Sequence, residues 1–172
     1  MNIRKEAGGW LVLVLLAVAL AFVINYMIIM RVEIPTESME NTIIAGDKVV
    51  VLRVSYLFAE PKRGDMVVFR YPDNETINYA KRIIGLPGDT IEIRDGLVYV
   101  NGADEPLSEP YLKETPTGDY GPYTVPEDSY FMLGDNREES EDSRYWRHTY
   151  VQRDAIIGKI WFRYYPSILF YD

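Results

Sequence analysis

Two side chains in this chain could do covalent chemistry together. Ser38 sits in Pro35-Thr36-Glu37-Ser38-Met39-Glu40-Asn41-Thr42, a few residues after a long apolar run that ends at Met30. Its hydroxyl is a weak nucleophile and needs a base to take its proton. The chain holds one histidine, His148, and no cysteine. A lysine in an apolar setting, Lys81, is the better candidate base. By itself the stretch around Ser38 also reads as a solvated linker, because turns favour Ser and Thr for local hydrogen bonding.

Lys81 lies in a segment, Ile77 to Ile84, with strand character. Alternation puts Ile77, Tyr79, Lys81 and Ile83 on one face and Asn78, Ala80, Arg82 and Ile84 on the other. The lysine therefore takes the more apolar face, although lysines also snorkel from strand edges. A buried amine loses charge more easily, since desolvation lowers its pKa from about 10.4. A neutral amine beside a serine hydroxyl can accept its proton, a Ser-Lys variant of the catalytic triad. A second polar cluster, residues 134 to 144, packs five acids, two arginines and two serines into eleven residues. It reads either as a salt-bridged turn or as the supporting parts that orient a catalytic amine. His148, just beyond it, reads as a surface or structural histidine. No metal-ligand spacing is present.

The elements that must position these groups follow from composition. At 172 residues the chain is about one domain long, and 48% hydrophobic residues allow a core. The net charge of −8 and the lack of a basic stripe disfavour nucleic acid as a partner. Without cysteine there is no disulfide framework and no thiolate zinc site. Trp10 to Met30 is 21 residues without a charge, roughly 30 Å of helix and so one bilayer core. Ala17-Val18-Ala19 and Ala19-Leu20-Ala21 could mark a cleavable leader. Nine more mostly apolar residues follow Ala21, however, which favours an uncleaved anchor. Arg4 and Lys5 bias the N-terminus to the cytoplasm and the body outward.

After the anchor the pattern is β. Strands are expected at 48–52, 66–69, 77–84, 90–94, 97–100, 130–133 and 156–165, with Asp95-Gly96 as a two-residue hairpin turn. No 12-residue amphipathic helix is expected after residue 31. Residues 101–126 carry five prolines and read as an extended cap or excursion poor in regular strands. The C-terminal aromatics Trp161, Phe162, Tyr164, Tyr165, Phe170 and Tyr171 read as a core strand with a packed tail, or as contact with a bilayer interface.

The motifs PTESM at 35–39, RGDMVVF at 63–69, YAKRIIGLPGD at 79–89 and GDNREESEDSR at 134–144, after an N-terminal anchor, resemble the type I signal peptidases in order and spacing. The resemblance covers essentially the whole chain. It implies a mostly antiparallel β catalytic core with one transmembrane helix: residues 1–9 a short cytoplasmic N-terminus, 10–30 the anchor, and 31–172 an extracytoplasmic catalytic domain with the excursion at about 101–126. It implies Ser38 as nucleophile and Lys81 as general base. Thr36 would form the oxyanion hole with the Ser38 amide, and Ser140 would hydrogen-bond and orient the lysine. Asp142 and Arg144 would be the supporting ion pair, with Arg82 following the lysine, and Ile34, Met39 and Tyr79 would line the substrate pocket. The implied reaction is cleavage of secretory preproteins after Ala-x-Ala-like sites, at the plasma membrane, without cofactor or metal. Thr36-Glu37 departs from the Ser-Gly of well-studied members, and threonine's methyl restricts its χ1. The short excursion resembles compact single-anchor members of Gram-positive-type bacteria, and a lysine base the bacterial branch.

Two other classes fit parts of the pattern. A self-cleaving repressor-type protease shares Ser-Lys chemistry but needs a DNA-binding domain and an upstream cleavage site, for which Ala7-Gly8 is the sole candidate. A non-catalytic anchored β module is the other.

Overall fold

In the computed structural model, which describes residues 3–112 and 114–171, the uncharged run forms α1 (Ile3–Val23), followed by a short π-helical turn, Ile24–Ile28. Residues 9–28 make a helical stretch long and apolar enough to cross a membrane. Residues Gly9 to Met27 are exposed all round, so the rest of the described fold covers none of this helix's apolar surface. Asn25, the one strongly polar side chain of the run, donates to the Ala21 carbonyl at 2.8 Å. The end of the run is already strand: Ile29 and Met30 belong to β1 (Ile29–Glu33), which pairs antiparallel with β2 (Lys48–Leu52).

Valine and isoleucine dominate the centre. β3 (Met66–Tyr71), β4 (Asn74–Gly85), β8 (Ser129–Leu133), β9 (Val151–Gln152) and β10 (Ile156–Tyr165) join β1 and β2 in a sheet of order β1-β2-β10-β3-β4-β8-β9, with β11 (Leu169–Phe170) paired to β10. All pairings are antiparallel. Met66 to Phe69 are buried without alternation because both faces of β3 are covered. Val68 packs with Ile34, Met39, Ile43, Val49 and Ile160. Val67 and Phe69 pack with Ile83, Met132 and Trp146 on the other side. Among the described residues no α-helix follows residue 31.

A second sheet of order β6-β5-β7 uses β5 (Thr90–Arg94), β6 (Leu97–Val100) and β7 (Tyr120–Thr124). The Asp95-Gly96 turn joins β5 to β6, with both residues at positive φ as the expected hairpin requires. β7 lies inside the stretch that reads as poor in strands. It forms because it is an edge, and the irregular pairing between Ile91 and Ile93 accommodates Pro122, which has no N–H to give. The C-terminal aromatics divide: Phe162 and Tyr171 are half-buried beside the fully buried Ile160, while Trp161, Tyr164, Tyr165 and Phe170 are exposed.

Candidate active site

The loop that carries Ser38 is the connection between β1 and β2. It is closed at its base by the Glu33–Lys48 pair of the ladder and by Ile34 N–H to Asp47 O and Gly46 N–H to Ile34 O. Met39 and Ile43 plug into the core with no exposed surface. Anchored on both sides this way, the turn presents Ser38, itself 8% exposed. The Ser38 carbonyl accepts from the Asn136 amide at 3.1 Å, and Asn136 Nδ2 donates to the Glu37 carbonyl at 3.2 Å. The polar loop at 134–144 thus fastens the back of the Ser38 turn.

Ser38 and Lys81 open onto one cleft of about 460 Å³, lined also by Ile34, Thr36 and Tyr79. Lys81 is only 3% exposed. Its ammonium lies 5.7 Å from the centre of the Tyr79 ring. Burial pulls its pKa down to about 8. Asp142, Glu141 and Asp135 pull it upward by their charge, and Arg144 assists the lowering. Thr36 Oγ1 lies 3.4 Å from Ser38 Oγ, so two hydroxyls stand side by side at the cleft.

Asp142 and Arg144 form a doubly hydrogen-bonded pair at 2.8 and 3.0 Å, almost wholly buried. Asp142 Oδ2 also accepts the Gly134 amide at 3.0 Å, so this pair shapes the loop. Arg82 takes the face opposite Lys81, as alternation expects. It holds Asp135 through Nε at 2.8 Å and Nη2 at 2.6 Å, and donates to the Gly64 carbonyl at 2.8 Å.

Two expected roles differ in the structure. Ser140 Oγ is buried without a hydrogen-bond partner, so the bond that would orient Lys81 is not made. The hydroxyl instead packs against Gly134 at the back of the Ser38 carbonyl. Met39 is not on the cleft. It follows Ser38 around the turn and points into the core beside Ile43, Val49 and Val68, because an apolar side chain adjacent to an exposed turn is held by burial. His148 is exposed and hydrogen-bonded to Asp73, at 2.6 Å from Nδ1.

Several site residues were not expected. Val32, Val68, Ile77, Asn78, Ala80, Glu139 and Glu141 line the cleft. Ile77 was within reach of the sequence, being four residues before Lys81 on its face. Val68 was not, because its place depends on the register that sets it opposite Ala80. Asp135 and Thr42 were also missed: Thr42 Oγ1 donates to Asp135 at 2.5 Å, tying the nucleophile loop to the Arg82 pair.

A family model described as signal peptidase, peptidase S26, matches residues 7–165. The probable signal peptidase I-2 of Synechocystis sp. is 41% identical over 155 residues, covering 87% of this chain and 69% of that protein. Signal peptidase I of Bacillus licheniformis is 37% identical, over 83% of this chain and 81% of its own. The crystal structure of a signal peptidase I from Enterococcus faecalis V583 matches with a TM-score of 0.51 and 39% identity, covering 59% of this chain and 97% of that one. An antiparallel β enzyme with a serine in a half-apolar cleft is thus matched along most of its length. The chain belongs to the signal peptidase family, peptidase S26.

Proposed function

We propose that Ser38 and Lys81 form the catalytic dyad with which this chain cleaves signal peptides from preproteins. The observation that carries the reading is a lysine 3% exposed, with its pKa lowered to about 8, opening onto the same cleft as a serine hydroxyl. Such an amine is substantially neutral near pH 8 and can accept a proton.

The steps follow from the groups available. Ser38 Oγ attacks the scissile carbonyl carbon while Lys81 Nζ takes the hydroxyl proton. The oxyanion is held by the Ser38 amide and the Thr36 hydroxyl, donors fixed before the charge develops. Lys81 then returns the proton to the leaving amine, which carries away the mature chain. Water, deprotonated in turn by Lys81, releases the acyl group from Ser38. Asp142, Arg144 and Arg82 hold the frame.

Ile34 and Tyr79 narrow the cleft, so side chains flanking the cut must be small, as in Ala-x-Ala sites. The helical part of the 10–30 run, up to Ile28, anchors the chain in a bilayer, with residues 1–9 cytoplasmic and the domain from β1 onward, including the excursion at 101–126, outside. The test uses the full chain in detergent micelles and a preprotein with an Ala-x-Ala site, with N-terminal sequencing of the product. Ser38→Ala and Lys81→Ala should each abolish cleavage, and His148→Ala should remain active. Residual activity above a few per cent in Lys81→Ala overturns the assignment. Replacing Ala by Leu or Phe at the first and third positions before the cut should abolish cleavage; equal rates would refute the pocket.

A further inference from the structure

The segment between β6 and β7 reads as a passive excursion, yet it delivers two side chains to the frame of the site. Glu109 forms a bidentate ion pair with Arg137, and both side chains are almost wholly buried, 4% and 3% exposed. Tyr111 donates its hydroxyl to Glu109 at 2.5 Å and lays its ring 4.0 Å from the guanidinium of Arg82. Arg137 stands in the loop behind the nucleophile, and Arg82 is the neighbour of Lys81.

We propose that Glu109 and Tyr111 are positioning residues for the hydrolysis, a clasp that holds the 134–144 loop through Arg137 and the lysine-bearing strand through Arg82; this rests on the Ser38–Lys81 reading above. The loop has little regular ladder of its own, so side-chain bonds set its path. Arg137 Nε donates to the Gly134 carbonyl at 3.0 Å, and its own carbonyl accepts from Arg144 Nη2 at 2.6 Å. Arg144 grips Asp142, which accepts the Gly134 amide. Two residues after Gly134, the Asn136 amide donates to the Ser38 carbonyl. An unbroken line of bonds therefore runs from Glu109 to the backbone of the nucleophile.

Without the Glu109 carboxylate, a buried guanidinium loses its counter-charge and must turn toward water. Arg137 then lets go of Gly134, and the Ser38 turn loses the support behind it. On the other arm, Tyr111 shields Arg82 and with it the Asp135 pair that ties down Thr42. A loosened frame also admits water to Lys81, which is faced by Asp142, Glu141, Asp135 and Arg144 and by the Tyr79 ring.

The experiment measures kcat and KM of the full chain in micelles on a fluorogenic Ala-x-Ala peptide, across the pH range that brackets the acid limb. Glu109→Ala should lower kcat about ten- to a hundredfold, the scale of a misplacement of about 1 Å between reacting groups. KM should barely change, and the acid limb should move to higher pH as Lys81 becomes wetter. Glu109→Gln, whose amide oxygen still accepts from Arg137 but supplies no counter-charge, should restore kcat only in part. Tyr111→Leu should lose activity in the same way, and Tyr111→Phe, which keeps the ring over Arg82, should lose less. Glu92→Ala, which breaks an exposed pair with Arg94 on the small sheet, should match the parent. If Glu109→Ala does not fold, Tyr111→Leu and Glu109→Gln carry the comparison. Folded Glu109→Ala or Tyr111→Leu with a lower melting temperature but unchanged kcat and pH profile overturns the clasp. An active Lys81→Ala overturns the dyad instead, so the two failures are distinguishable.

Discussion

Gly134 lies so close to the carbonyl of Ser38 that a single added methyl group would overlap it, and would overlap the hydroxyl of Ser140 as well. The glycine is needed for space, since its neighbour across the gap is backbone and cannot rotate away. Gly134→Ala must push the polar loop off the Ser38 turn. We expect a loss of stability of about 1–3 kcal/mol, the range for overpacking a filled interior. Activity should fall further than stability accounts for, because the displaced atoms belong to the Ser38 turn. Denaturant unfolding alongside kcat checks this; a variant of parental activity would show that the loop can retreat without disturbing the serine.

Lys81 weakens the fold that carries it. Its ordinary pKa is 10.5 and its folded value about 8, lowered chiefly by burial. Below about 8 the ammonium is buried at full cost. Between the two values the unfolded chain holds a proton that the folded chain has shed, so stability of the parent protein rises with pH across that window. Lys81→Met fills much the same volume without the charge. It should be inactive and, at pH 7, more stable by on the order of 1–3 kcal/mol. The advantage should shrink as pH climbs past about 8 toward 10.5. Unfolding in micelles at pH 7 and again near the upper value decides it. A variant less stable at both would make the lysine a charged structural partner.

Glu141 is exposed on the rim of the cleft and raises the affinity of Lys81 for its proton. Glu141→Gln removes that charge, so the base is neutral at lower pH. The acid limb of kcat/KM should move toward lower pH by less than about one unit, in keeping with an exposed charge. The difference from the parent should fade in high salt. A shift to higher pH would contradict the arrangement.

Asp135 holds Arg82 through two hydrogen bonds and accepts a third from Thr42. Arg82 and Asp135 side chains are 9% and 1% exposed. Asp135→Ala leaves a buried guanidinium without its partner, which costs about 3–5 kcal/mol. The shift of the unfolding midpoint measures it. A change within about 0.5 kcal/mol, as for an ordinary surface substitution, would mean that Arg82 finds another partner.

The strands that carry the site were legible because their residues announce them: Val49-Val50-Val51, Met66 to Phe69 and the Asp95-Gly96 turn leave few alternatives. Lys81 on the more apolar face followed from alternation alone. The burial of Met39 did not follow, since neighbouring residues in a turn diverge by backbone angles that no periodicity encodes. β7 stayed hidden because Gly121 and Pro122 are poor strand formers, tolerated there only at an edge. The partners Glu109–Arg137 and Thr42–Asp135 lie 28 and 93 residues apart. Pairs so distant appear only once the sheets have brought them together.

The continuity of α1 into β1 has a geometric consequence. β1 is laddered to β2 from Ile29 to Glu33, and Ser38 comes five residues later. Even fully extended, the chain from Ile29 to Ser38 reaches about 30 Å at most. Were α1 to span a bilayer, Ser38 would be a fixed gauge of depth. On the proposed reading a scissile bond would be met only where it emerges within that reach of the lipid, so a preprotein whose cut site is moved outward along its chain should escape cleavage.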